Sequence, residues 1–176
     1  DLRTARLSSV IMEGAVFQYA NLDNQDLSSA DLTYANLENA SLKGAVLRRA
    51  HLAYADFSGA DLSGADLRGA IFQDTDFQGA NLQGADLRGV VDYSGVSFRN
   101  TLLRGSNFQD ATLVNVDFGG VNLRELNFQG AILSHGNFAC ADLTRTDLTR
   151  ADLTQASLYE ANLEGAVLTQ AALIGA

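Results

Sequence analysis

Large apolar side chains recur at every fifth residue of this chain. They run from Leu2 in unbroken steps of five to Leu87, and then from Tyr93 in steps of five to Leu173. We call the large residue of each pentapeptide its centre. On an α-helix five residues advance about 140°, and on a flat strand successive centres would point to opposite faces. The backbone must therefore turn in every pentapeptide so that all centres share one interior, which predicts an all-β solenoid.

The other positions of the pentapeptide are also restricted, as the stretch ADFSGADLSGADLRGA at residues 55–70 shows. Two residues before the centre stands a small residue, usually Ala, and directly before it stands Asp or Asn. Gly recurs two residues after the centre, where the chain must turn and an unusual backbone conformation is useful. We interpret the small residue as pointing inward beside the centre and the Asp or Asn as pointing outward.

Phenylalanine placement indicates how many pentapeptides make one coil. Five pairs of Phe centres lie four pentapeptides apart and one pair lies three apart, which favours four sides if large rings stack between neighbouring coils. With 35 pentapeptides and strands about 4.8 Å apart, we expect about nine coils and a rod about 40 Å long. One column of the predicted core contains Phe17, Leu37, Phe57, Phe77, Phe98, Phe118, Phe138 and Leu158, and Leu62 belongs to another.

The pentapeptide register shifts by one residue in the segment GVVDYSG, residues 89–95. We interpret Val90 or Val91 as the surplus residue, accommodated as a bulge at a corner. No change of composition accompanies the shift, so we predict a single domain over residues 1–176 with the register shift near 90–91.

The phrases ADLSG, ADLRG, ANLQG, ANLEG and ADLTR resemble the A(D/N)LXX consensus of the pentapeptide-repeat family, over essentially the whole chain. The resemblance implies a right-handed quadrilateral parallel β-helix with four pentapeptides per coil. The chain departs from the consensus at the small position with Gln25, Leu126 and Gly136, and at the surplus residue. These departures concern local geometry rather than the architecture.

Composition excludes several arrangements. A single cysteine, Cys140, rules out an internal disulfide, and no apolar run approaches the roughly 20 residues of a membrane span. We therefore expect a soluble protein, for which the cytoplasm is favoured. Because the chain begins at Asp1 inside a repeat and without an initiator Met, an exported compartment stays open.

Residues with catalytic or metal-binding chemistry do not converge in the predicted fold. His51 and His135 are several coils apart, and His135 and Cys140 occupy equivalent corners of successive pentapeptides, too distant for a shared zinc ion. The motifs GxGxxG and GxxxxGK[ST] do not occur. We expect no catalytic residue, cofactor or metal site, and no small-molecule ligand, because the centres fill the interior.

The net charge of −9 argues against direct binding of nucleic acid, which requires a basic surface. Much of the acidity follows from the consensus Asp before the centre. Arg48, Arg68 and Arg88 are predicted to form an outward ladder, with Asp66 and Asp86 as ion-pair partners. Together with the outward residues Ile71 and Ile132, these arginines are our candidate partner surface.

The ends of a solenoid expose strand edges and interior side chains unless they are capped. Neither end of this sequence shows a capping segment. We therefore expect end-to-end association, as in a homodimer, through Ala171, Leu173 and Ile174.

Two function classes follow from these observations. The leading one is a non-enzymatic structural or protein-interaction module with an unidentified protein partner. The alternative comes from the family resemblance, since some members resemble duplex DNA in shape and charge, bind DNA gyrase and protect it from quinolones. The arginine ladder and the lack of a projecting loop count against this alternative.

Overall fold

The structure is a computed structural model that describes residues 6–176. The predicted first centre, Leu2, lies outside this range. Parallel β-bridges join residues that are four pentapeptides apart, as between Asp61 and Asn81, so one coil contains four pentapeptides. The only strands longer than one residue in this range are β1 (Val91–Asp92) and β2 (Thr112–Leu113). They pair in parallel, with Val91 opposite Thr112 and Asp92 opposite Leu113.

Backbone hydrogen bonds explain why the chain turns in every pentapeptide. The carbonyl of Leu62 accepts a bond from the N–H of Ala65 at 3.0 Å, which closes a β-turn over Ser63 and Gly64. The N–H of Leu62 donates to Asn81 in the next coil at 2.7 Å, and the N–H of Asp61 donates to Ala40 in the preceding coil at 2.9 Å. Each pentapeptide is thus bonded both to itself and to the coils on either side.

The second turn residue adopts a left-handed backbone conformation. Gly64 has a φ of 66°, and non-glycine residues at the same position, such as Asn39 and His135, have φ values of 54° and 61°. Glycine and asparagine tolerate this region best, which is the physical reason for the recurrent Gly two residues after the centre.

The Asp or Asn before each centre caps the turn that follows. The Oδ1 atom of Asp61 accepts a hydrogen bond from the backbone N–H of Ser63 at 3.0 Å, and Asn81 accepts from Gln83 in the same way at 3.1 Å. Short side-chain acceptors of this kind form Asx turns. Asp is thus required at many positions by the fold, and the acidity of the chain is in large part structural.

The coil arrangement divides the surface into four columns. Each column consists of centres in successive coils, each with the residue before it and the two residues after it. The column 1 centres are Met12, Leu32, Leu52, Phe72, Asp92, Leu113, Leu133, Leu153 and Leu173, and the column 2 centres are Phe17, Leu37, Phe57, Phe77, Phe98, Phe118, Phe138 and Leu158. Column 3 starts at Leu22 and column 4 at Leu7, each continuing by one coil at a time.

Phenylalanine rings fill the middle of the rod. In column 2, ring centroids of successive coils are 5.0 to 5.6 Å apart from Phe57 to Phe138. Phe108 and Phe128 of column 4 stack at 4.8 Å and meet the column 2 rings edge to face. The centre of the rod is therefore an apolar core in which aromatic rings from facing columns contact each other edge to face.

The predicted core residues are buried to different degrees along the rod. The mid-rod centres are fully buried: Leu37, Phe57, Leu62, Phe77, Phe98, Phe118 and Phe138. Phe17 and Leu158 lie nearer the ends and are only partly buried against the same core. They occupy the expected column, but each has fewer coils around it.

The extra residue lies later than the predicted position at residues 90–91. Ile71 still pairs with Val91 at the regular one-coil interval, whereas Asp76 pairs with Ser97, an interval that is longer by a single position. The side chain of Asp92 is fully buried and Tyr93 is 69% exposed. Asp92 is therefore the centre, Tyr93 is not, and the surplus residue belongs to the turn 93–95.

Hydrogen bonds to its carboxyl group explain why Asp92 points inward. Its Oδ2 atom accepts from the backbone N–H groups of Gly95 at 2.9 Å and Val96 at 2.8 Å. Its Oδ1 atom accepts from the N–H of Ser94 at 3.2 Å and from the hydroxyl of the same residue. The carboxyl group thus satisfies the donors that the longer turn directs inward.

Packing explains why residue 136, at the small position, is Gly rather than Ala. A Cβ atom there would lie 2.8 Å from the Phe138 ring and 2.9 Å from the carbonyl oxygen of Leu133. The other departures at this position, Gln25 and Leu126, are both buried. The small position thus accepts what the neighbouring centres leave room for.

Candidate interaction surface

Charge is distributed unequally among the four columns. Column 1 carries four outward acidic residues, Glu13, Asp31, Asp74 and Asp152, and within residues 6–176 it has no Lys or Arg. In the same described range, column 2 carries five acidic residues and a single basic one, Arg99. All other Lys and Arg residues of the described range lie on columns 3 and 4, where they offset the acidic residues. The net negative charge therefore belongs to two adjacent columns.

The arginine ladder of column 4 is tied to its own acidic residues. Arg68 donates from Nε and Nη2 to the two carboxylate oxygens of Asp66, at 2.9 and 2.7 Å, and Arg48 donates to the same carboxylate at 2.6 Å. Arg88 holds Asp86 in the same two-pronged way, at 2.8 and 2.6 Å. The ladder thus lies where the sequence places it, with much of its charge compensated.

The same pairing connects coils elsewhere. A basic residue directly after a centre reaches the Asp that precedes the centre of the next coil, as Lys43 does to Asp61 at 3.4 Å and Arg124 to Asp142 at 3.1 Å. Exposed pairs of this kind contribute little stability individually. Their main consequence is to leave fewer free charges for a partner on columns 3 and 4.

Asp66 is the most perturbed of these carboxylates. Hydrogen bonds from the Arg68 side chain, opposed by partial burial and reinforced by Arg48, lower its pKa to about 2. This value lies below the pKa of about 3.9 expected in the unfolded chain. The ionised form is therefore stabilised by folding.

We expect this Asp66 contribution to stability to depend on pH. Since the folded pKa is the lower one, the contribution is fully present above about pH 4 and is lost as pH falls towards 2. Asp66→Asn should lower the free energy of unfolding by on the order of 1 kcal/mol at pH 7. Urea denaturation at pH 7 and pH 2 measures it, and an equal loss at both pH values would contradict the assignment. Asn occupies the same position at residue 81, so the variant keeps the turn cap.

Column 1 holds most of the exposed apolar and aromatic side chains away from the ends. Between residues 20 and 158, five of the six large exposed ones belong to it: Tyr34, Tyr54, Ile71, Tyr93 and Ile132. The sixth is Leu102 on column 3. We call these five residues the apolar stripe; two of them, Ile71 and Ile132, are sequence candidates, and the three tyrosines are additional.

The stripe has ordered local structure. The rings of Tyr34 and Tyr54 stack with centroids 4.8 Å apart, and the Tyr54 hydroxyl accepts a hydrogen bond from Gln73 Nε2 at 2.8 Å. Farther along, Ile71, Val91 and Tyr93 line a surface depression of about 280 Å³ above Phe72. Tyr93, the residue directly after the centre Asp92, also lines the depression. The spacing of Tyr34 and Tyr54, one coil apart at equivalent turn positions, is the sequence signal for the stack.

The remaining candidate residues do not form a site. His51 and His135 both belong to column 1 but are four coils apart, and Cys140 is exposed on column 2 with its Sγ 3.8 Å from Glu160. No group of three His, Cys, Asp or Glu side chains suited to a metal ion occurs in residues 6–176. In the last coil Leu173 and Ile174 are exposed and Ala171 is partly buried. End-to-end association through them stays a prediction.

Comparison with known families decides the classification. The family model "Pentapeptide repeats (8 copies)" matches residues 1–33, 30–69 and 55–91, and the model "Pentapeptide repeat region" matches residues 91–168. The chain belongs to the pentapeptide-repeat family. Proteins of this family fold as right-handed β-helices and are generally non-enzymatic structural repeat proteins.

Solved structures similar to this pentapeptide-repeat protein include members with different roles. Full-length QnrB1, a plasmid-mediated fluoroquinolone resistance protein, is 22% identical with a TM-score of 0.62, over 96% of this chain and 86% of QnrB1. Rfr23 from the cyanobacterium Cyanothece 51142 is 27% identical with a TM-score of 0.52, over 60% of this chain and 88% of Rfr23. HetL from the cyanobacterium Nostoc sp. strain PCC 7120 is involved in regulating heterocyst differentiation. It is 29% identical with a TM-score of 0.45, over 94% of this chain and 84% of HetL.

The likenesses to QnrB1 and Rfr23 support the shared fold. No curated protein sequence matches the chain. Within residues 6–176 there is no helix with the length and apolar character needed to span a membrane.

Proposed function

We propose that this pentapeptide-repeat protein is a non-enzymatic, rigid four-sided rod of about nine coils that acts by presenting its surface to a protein partner. The observation that carries the proposal is the sorting of residue types among the columns. The core requirement is the same on all four sides, yet the apolar stripe lies on one column and most basic residues lie on two others. The fold alone does not require this difference.

The state of the carboxylates supports a non-enzymatic role. Asp61, Asp66 and Asp86 each accept a bond from a turn N–H, and each also forms an ion pair with a basic side chain. General acid and base catalysis needs two groups in different environments facing one reacting atom. These carboxylates instead repeat the same structural environment coil after coil.

Affinity capture with surface variants tests the proposal. The intact rod would be compared with a triple variant of column 1, Ile71→Ser, Tyr93→Ser and Ile132→Ser, and with a triple variant of column 4 in which Arg48, Arg68 and Arg88 become Gln. We expect at least one protein from the source lysate to be captured by the intact rod and one variant but lost with the other. Identical captured sets for all three rods would contradict a column-specific surface.

Gyrase-directed DNA mimicry is the second candidate, favoured by the concentration of acidic residues on columns 1 and 2. Charge density counts against it. Duplex DNA carries one negative charge per about 1.7 Å, which gives about 24 over the roughly 40 Å of the proposed rod, whereas the net charge here is −9. A supercoiling assay with purified gyrase distinguishes the candidates, since inhibition or protection from a quinolone would favour the mimic.

A further inference from the structure

We propose that columns 1 and 2 together bind a cationic amphipathic segment of the partner, one that carries an apolar row bordered by Lys or Arg. The apolar row would lie along the apolar stripe of column 1, and the cations would face the acidic residues beside it. This inference rests on the proposed function and specifies the chemistry of the partner.

The apolar half of the surface has two parts, the Tyr34–Tyr54 stack and the depression, and Gln73 links them because it donates to the Tyr54 hydroxyl and also lines the depression. Tyr54 of the stack lies one coil before Ile71 and Gln73. Ile71 and Gln73 line the depression together with Val91 and Tyr93. At about 280 Å³ the depression is smaller than most small-molecule pockets, which start at about 300 Å³. Its size and shallow form suit one large apolar side chain of a protein.

The polar half of the surface is anionic. On column 1, Asp74 directly follows Gln73. On column 2, Asp56 and Asp76 occupy equivalent positions in neighbouring coils, where their backbones form a β-bridge. Arg99, the single basic residue of column 2 in the part of the chain that the structure describes, forms an ion pair with Asp117. A cationic partner is therefore attracted to this side of the stripe without an opposing free cation on either column within residues 6–176.

The same charges disfavour other occupants. A second copy placed column 1 against column 1 would bring two acidic surfaces together, and nucleic acid or an anionic lipid surface would be repelled in the same way. An amphipathic helix with a basic polar face satisfies both halves, because its apolar side chains at intervals of three and four residues form one stripe.

The probe for a test is a fluorescein-labelled Leu–Lys peptide of sequence LKKLLKLLKKLLKL, whose binding to the intact chain is followed by fluorescence polarisation. We expect binding that weakens with added salt. The double variant Ile71→Ser and Tyr93→Ser should raise the Kd about tenfold or more, since two apolar contacts are lost. Asp74→Asn with Asp76→Asn should weaken binding and reduce its salt dependence.

Matched controls distinguish binding at this surface from non-specific binding. Leu102→Ser with Val167→Ser removes two exposed apolar side chains from columns 3 and 4, outside the proposed surface, and should leave the Kd within about twofold. A peptide with Glu in place of Lys and an all-Lys peptide should both bind more weakly than the Leu–Lys peptide. Circular dichroism of each variant verifies that the rod is folded.

The inference is overturned if the Ile71 and Tyr93 variant binds like the unmodified chain, or if either control peptide binds as well as the Leu–Lys peptide. These outcomes are distinguishable from failure of the proposed function. Column-dependent capture from lysate with no Leu–Lys binding would retain a protein-binding rod and reject the cationic amphipathic partner. Identical capture by all rods would reject the column-specific surface of the proposed function.

Discussion

Replacing Phe118 by Ala should destabilise the protein by about 3 to 5 kcal/mol. The ring is fully buried and lies between Phe98, at a centroid distance of 5.0 Å, and Phe138, at 5.4 Å. It also meets Phe108 and Phe128 edge to face. Ala would leave a cavity bounded by four rings that are fixed in neighbouring coils and are poorly able to collapse into it.

Guanidinium denaturation followed by circular dichroism measures the loss, and hydrogen exchange at the amides of the neighbouring coils shows where it acts. Phe118→Leu is the matched control, because Leu is the commonest centre, and we expect it to lose about 1 to 2 kcal/mol. A loss below about 1 kcal/mol for Phe118→Ala would show that the ring column is not the main packing element of the rod.

Replacing Asp92 by Leu should also destabilise the protein by about 2 to 5 kcal/mol, although Leu is the usual centre. The substitution removes the acceptor for the backbone N–H groups of Gly95 and Val96. Each buried donor that loses its partner costs about 1 to 3 kcal/mol. The penalty arises from the longer turn rather than from the volume of the new side chain.

Deletion of Ser94 in the same chain provides the decisive control. It shortens the turn to its usual length, leaves Gly95 at the position that requires a positive φ, and restores the regular pentapeptide. We expect the combined variant to recover most of the stability that Asp92→Leu loses, as measured by thermal unfolding. An Asp92→Leu chain as stable as the parent would show that the carboxyl group does not hold this turn.

The packing of this protein is largely readable from its sequence, because volume is conserved along each column. A Phe that recurs once per coil predicts the ring column, and the structure places Phe57, Phe77, Phe98 and Phe118 in it as successive stacked rings. The arginine ladder is visible for the same reason, since Arg48, Arg68 and Arg88 repeat at the interval of one coil. Periodicity therefore reports interior and exterior positions well.

Where periodicity fails, the sequence misleads. Tyr93 is large and apolar and follows an Asp, so it looks like a centre, but backbone donors in the longer turn draw Asp92 inward instead. A pattern of large and small residues does not show that a buried position needs a hydrogen-bond acceptor. The apolar stripe was only partly predicted, because the tyrosines at turn positions are exposed and carry no core signal.

The pairing of equivalent residues in successive coils has a consequence for insertions and deletions. Loss of a whole coil would shorten the rod and return every later residue to its own face. Loss of a single pentapeptide would keep the apolar centres pointing inward while moving every later residue to the neighbouring face. Evolution can thus reshuffle what such a rod displays without disturbing how it folds.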